Sequence, residues 1–148
     1  DMFGEAFACA GAEKMPFSVE AAVDCEILLI DVARIVVTCP AACPFHTRLI
    51  ENLMAVLARK NILLGAKIRH LSRRSTREKL LSYLSDRARE AGAREFYVPF
   101  NRQEMADYLC VDRSAMSAEL SKLKAEGILD YNKNHFTFVK RDRGAKRR

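Results

Sequence analysis

Tryptophan is absent from the chain, and proline (4) and glycine (6) are scarce. A collagen-like protein or a low-complexity linker is thereby excluded. No window holds eighteen unbroken apolar residues, so no membrane-spanning helix and no membrane partner are expected. No basic start leads into an apolar run, so no secretory signal is expected either. What is present argues against wholesale disorder: 49% hydrophobic and 30% charged residues over 148 positions. That is the balance of a folded, soluble protein with one average domain or two small ones.

Basic charge is scarce at the start and abundant later. Residues 1–47 hold two basic side chains (Lys14, Arg34) against seven acidic ones, a net of −5. Residues 48–148 hold 23 basic against 12 acidic, a net of +11. An excess of that size favours a polyanionic partner, either nucleic acid or an anionic surface, over a merely solvated basic face.

The five cysteines are odd in number and irregularly spaced, so reduced thiols in a cytoplasmic setting are expected. Cys39-x-x-x-Cys43 with His46 has a helix-like ligand spacing, but Pro40 and Pro44 break a regular helix and no fourth ligand is evident. No metal and no cofactor are therefore expected. A Cys/His nucleophile pair would need an oxyanion hole and an orienting acid. The sequence offers neither, so no catalytic residue and no enzymatic activity are expected.

Along the chain, Phe17-Ser18-Val19-Glu20-Ala21 alternates, and Cys25-Glu26-Ile27-Leu28-Leu29-Ile30-Asp31 is a short apolar run. Both read as strands. Two or three strands in 1–38 are too few to close a core. The chain also opens at Asp1 rather than Met, and further residues upstream are expected. The prolines at 40 and 44 mark a break, with a long helix in 39–72. Ile50, Leu57, Leu64 and Leu71 recur every seven residues, with Leu53, Met54, Asn61 and Ile68 beside them. This seam is about 25 residues, or roughly 37 Å, long. It serves either to pack on its own domain or to meet a second copy, with Asn61 placed to fix register.

Ser75-Thr76-Arg77-Glu78 is a capping-box pattern opening a helix that ends at Ala91-Gly92. Residues 96–100 form a strand or extended link. Asn101 with Glu104 caps a short helix over 102–109, which buries Met105, Ala106 and Leu109. A turn at 110–112 follows, and its Asp112 can cap the next helix, from Arg113 to about Glu126, which Gly127 stops. Two strands, 128–131 and 135–139, flank Asn132-Lys133-Asn134. The basic run from Lys140 has no apolar pattern. His70 and His135 are expected on the surface or the wing.

Two short helices joined by a three-residue turn and followed by a hairpin form a winged helix-turn-helix. Its second helix would present Arg113, Ser114, Ser117 and Ala118 to base edges. Asn101, Arg102, Gln103 and Lys133 would meet backbone phosphates. The run Asn101-Arg102-Gln103-Glu104-Met105-Ala106-Asp107-Tyr108-Leu109-Cys110-Val111-Asp112-Arg113-Ser114-Ala115-Met116-Ser117 resembles the helix-turn-helix of the Crp/Fnr family of bacterial transcription regulators. Gly4-Glu5-Ala6-Phe7 is similar to the Gly-Glu of that family's effector pocket, and residues 18–31 resemble the last strands of its β-roll.

The resemblance implies an α+β protein in four parts. These are the end of a cupin-like, cyclic nucleotide-binding-like effector β-roll (1–38), a dimerisation helix (39–72), a winged helix-turn-helix domain (73–141) and a basic tail (142–148). It implies a homodimer through Ile50, Leu53, Leu57, Asn61, Leu64, Ile68 and Leu71, bound to a two-fold symmetric double-stranded DNA operator. RNA polymerase and a small-molecule effector are implied as further partners, with Gly4 and Glu5 in the effector pocket. Met15-Pro16 stands where cyclic-AMP-binding members carry Arg-Ser, so a different effector is expected. Ala118 replaces a base-contacting arginine, which implies an unusual operator. Glu119 is placed to pair with Lys122. Cys110 replaces the usual turn glycine, which implies a turn with no strict need for positive φ. The alternative is a ligand- or redox-sensing protein-interaction module that does not bind DNA.

Overall fold

The computed structural model describes residues 2–36 and 43–139. The Cys39-Pro40 break and the basic run from Lys140 lie outside the described residues. The chain divides into two compact units, Asp1–Leu63 and Leu64–Arg148.

The first unit departs from expectation. It holds α1 (Glu5–Cys9) and α2 (Val32–Val36), and none of its described residues forms a strand. The strands expected at 17–21 and 25–31, and with them the β-roll segment, do not form. Alternation gives side chains suited to a half-buried strand, but a strand's N–H and C=O groups require a neighbouring strand. No described residue of this unit supplies one, and the apolar side chains stay in water: Leu29 is 88% exposed and Leu28 82%.

Helix α3 (Pro44–Leu71) has 28 residues, or about 42 Å at the standard rise. Pro44 takes the first helical position, where its missing N–H costs nothing. Of the expected seam, Ile50, Leu53, Leu57 and Leu71 are half-buried, and Asn61 is exposed. Leu64 and Ile68 are 60% and 63% exposed.

The second unit follows the sequence closely. Its elements after α3 are α4 (Thr76–Ala91), β1 (Glu95–Tyr97), α5 (Arg102–Leu109), α6 (Arg113–Ala125), β2 (Leu129–Asn132) and β3 (His135–Phe138). Ser75 and Glu78 form the reciprocal capping box at α4, and Gly92 ends it at φ 63°. The sheet is antiparallel in the order β1-β3-β2, with Phe96 opposite Phe136 and Tyr131 opposite Phe136 on the other side. Residues 95–97 are therefore a strand and not only a link. The wing turn is two residues, Lys133 and Asn134, not three, because Asn132 pairs with His135.

Leu80, Leu84, Met105, Leu109, Met116, Leu120, Leu123, Leu129 and Phe136 close one core, each at most 1% exposed. Ala106 is fully buried beside them, where a larger side chain would push the short helices apart. At about 25 cal/mol per Å² of apolar surface, such burial is the main force holding the domain together.

His70, expected on the surface, is 2% exposed instead. Its Nδ1 lies 2.9 Å from Ser82 Oγ, and its ring packs against Tyr83 and Tyr108 at 5.7 and 6.4 Å. The end of α3 packs on α4 and α5 here, an aromatic contact that no local pattern announces. His135 does lie exposed on the wing.

Candidate nucleic-acid interface

The site is built outward from three caps. Asn101 Oδ1 accepts the Glu104 N–H at 2.9 Å, and Glu104 Oε2 accepts the Asn101 N–H at 2.7 Å. This reciprocal box fixes the first turn of α5 and leaves Gln103 exposed and Arg102 half-buried at a helix N-terminus, where partial positive charge gathers. Gln103 Nε2 donates to Asp107 Oδ1 one turn on, at 2.9 Å.

The second cap corrects an expectation. Cys110 sits at φ 49°, ψ 58°, in the left-handed region. Its N–H donates to Asp107 O, and the Val111 N–H reaches back to Ala106 O at 3.1 Å. The turn therefore does demand positive φ. Only a left-handed residue returns the chain quickly enough for α6 to start with just three residues between it and α5. The cysteine side chain meets this demand at a steric cost that glycine would not carry.

The third cap is Asp112, whose Oδ1 accepts the Ala115 N–H at 2.8 Å. That backbone bond, with help from the Ser114 side chain, holds the Asp112 carboxyl below its usual range. It stays charged, with its negative end toward the helix N-terminus. Beyond it, α6 buries Met116, Leu120 and Leu123, and exposes Arg113, Ser114 and Ala118. Ser117 is half-buried, and its hydroxyl donates to Arg113 O at 2.9 Å. Lys122 and Glu119 make the expected pair at 2.6 Å.

The wing closes the site from the other side. An open groove of about 870 Å³ lies between it and the starts of α5 and α6. Asn101, Arg102, Gln103, Arg113 and Lys133 all line it, so five of the eight residues expected at DNA come together. Among the described residues, no carboxylate lines it. Ala118 lies apart, in a second cavity of about 490 Å³ with Ser75, Arg77 and Lys122. Ser114 and Ser117 line neither cavity. The sequence reading missed Tyr97 and His135, which also line the groove and face each other across β1 and β3. Their signal was the strand at 95–97, which the sequence offers only as one alternative, a strand or an extended link at 96–100 with no pairing partner named.

The first unit holds the remaining candidates. Gly4 takes φ 78° ahead of α1, and Glu5 is buried, with Oε1 2.7 Å from Lys60 Nζ. The hydrogen bond from Lys60 keeps the Glu5 carboxyl below its usual range. Glu5 thus starts a helix, and its Oε1 accepts from a lysine of α3.

A capped bracing helix, a tight left-handed turn, a helix with a free N-terminal face and a two-stranded wing define a winged helix-turn-helix domain. Residues 78–143 match the family model of the Crp-like helix-turn-helix domain. No match is found among curated proteins.

Proposed function

We propose that the chain is a sequence-specific transcription regulator that binds double-stranded DNA as a homodimer. The observation that carries this is the carboxylate-free groove in which Arg113, at the exposed start of α6, and Lys133, at the wing tip, share one face. Arg113 has the fork that suits guanine O6 and N7 in the major groove. Lys133 and the start of α5 suit phosphates on either side of that groove. The apolar seam of α3, still exposed at Leu64 and Ile68, supports pairing with a second copy through Ile50, Leu53, Leu57, Asn61, Leu64, Ile68 and Leu71. Two-fold pairing would place two recognition helices about one DNA turn, roughly 34 Å, apart. A small-molecule effector other than cyclic AMP would act by shifting an equilibrium between two arrangements of the dimer. RNA polymerase would be a further partner of the bound regulator.

Selection from a randomised duplex library followed by gel shifts at two salt concentrations tests this. A symmetric selected site is expected, with affinity falling steeply as salt rises. Arg113→Ala should relax preference at one base position per half-site, by about 1–3 kcal/mol. Lys133→Ala should weaken all sequences alike and lower the salt slope by about one unit per protomer. Binding with neither salt dependence nor base preference would instead favour a protein-interaction module.

A further inference from the structure

Arg102 was expected to touch a DNA phosphate, but its surroundings give it other work. Its guanidinium carbon lies 5.1 Å from the ring centroids of both Tyr131 and Phe136, one ring on each wing strand. Its Nη2 donates to Lys133 O at 2.8 Å. Its Nη1 is buried and has no hydrogen-bond partner among the described residues. Burial also lowers its affinity for the proton. A planar cation lying over two aromatic rings and bonded through one nitrogen to a carbonyl is a bracket, a geometry the ammonium of lysine cannot reproduce.

The bracket acts where the sheet cannot. Lys133 and Asn134 lie beyond the last β2–β3 pair, Asn132 with His135, so the ladder does not hold the turn. Two bonds hold it instead. Asn134 O accepts the Val98 N–H at 2.9 Å, and Lys133 O accepts from Arg102. Lys133 itself is held at φ 51°, an unfavourable region for a lysine that needs outside support. Arg102 in turn is fixed to the start of α5 by the Asn101–Glu104 box one residue away.

We propose that Arg102 is a positioning residue rather than a phosphate contact: it brackets the wing tip to the start of α5 and so sets where the Lys133 ammonium stands relative to Arg113. This deepens the DNA-binding reading and rests on it for its consequence, though the bracket itself can be tested without DNA.

The test uses the full chain, with Arg102→Lys and Tyr131→Leu as variants. The probe is a mixed-sequence duplex of about 25 base pairs, bound over a salt series, alongside amide hydrogen exchange of Val98 in the free protein. Arg102→Lys keeps the charge but loses the fork. It is expected to speed Val98 exchange by about tenfold or more and to lower the salt slope by about one unit per protomer, as Lys133→Ala does. One unit corresponds to about a fourfold smaller loss of affinity between 50 and 200 mM salt. Combined with Lys133→Ala, it should lower the slope no further. Tyr131→Leu removes one ring and no cation facing the groove, and should have the same direction of effect. The proposal is overturned if Arg102→Lys leaves both the slope and Val98 exchange unchanged, or if its effect on the slope adds to that of Lys133→Ala. If the parent chain shows no salt-dependent duplex binding, the DNA reading fails, and Val98 exchange still decides whether the bracket exists.

Discussion

Two stretches of the chain both carry many apolar side chains, the first more densely than the second, and they fold in opposite ways. Between residues 17 and 31, Phe17, Val19, Val23, Ile27, Leu28, Leu29 and Ile30 are all at least 50% exposed. Between residues 80 and 136, the leucines of α4, α5 and α6 meet Phe136 in a core with almost no exposure. The difference lies in where the backbone finds its partners. The winged domain is made of helices, which satisfy their own N–H and C=O groups, of two strands joined by a two-residue turn, and of β1, which adds to the edge that β3 offers. The helices and the hairpin form locally, and they give β1 and one another's apolar faces something to meet. A strand at 25–31 has no such self-sufficiency, and apolar content alone does not organise it.

The sharpest way to break this comparison is a pair of truncations. Phe136→Ala should destabilise the winged domain by about 3–5 kcal/mol, because Phe136 is fully buried among Leu129, Phe96 and the helices. Leu28→Ala should change stability by no more than about 0.5 kcal/mol. Urea unfolding followed by circular dichroism measures both, and equal effects would sink the contrast. A smaller effect isolates the local part of the winged domain. Asn101→Ala removes the side-chain half of the capping box and should cost about 1 kcal/mol.

Smaller still, and opposite in sign, Cys110→Gly should raise stability by about 0.5 kcal/mol by relieving the left-handed residue at φ 49°. No gain in the melting temperature would mean that the turn's geometry is not a source of strain. The smallest effect concerns pH. Burial holds the His70 proton affinity below normal, against the opposing pull of Asp86. The unfolded chain therefore takes up a proton at this residue below about pH 6.5, while the folded one resists until lower pH. The contribution is fully present above about pH 6.5 and is lost as pH falls toward the lowered folded value. Melting at pH 7.5 and 5.5 should show a larger drop for the parent chain than for His70→Gln.

How much was legible follows the same division. The capping boxes at Ser75 and Asn101, the cap at Asp112, the left-handed Gly92 and the Glu119–Lys122 pair were all readable. Each involves residues three or four apart, or a single backbone angle. The groove was half readable. Asn101, Gln103, Arg113 and Lys133 were placed in it by motif, but Tyr97 and His135 enter through pairing of β1 with β3, nearly forty residues apart. Arg102 was readable as a cation at a helix start. Its enclosure by Tyr131 and Phe136 was not, because it exists only once the wing has closed on α5. His70 was misplaced for the same reason, and Cys110 because a turn angle is set jointly by the two helices it joins.

The order of helices and wing, their caps and the cations that head α5, α6 and the hairpin were written into the chain itself, since short-range hydrogen bonds and side-chain periodicity suffice to specify them. Which apolar residues reached a core, which cation was enclosed and which remained free at the groove were decided only by packing between distant segments. Burial and aromatic contact depend on what arrives from elsewhere in the chain, and no local pattern encodes that.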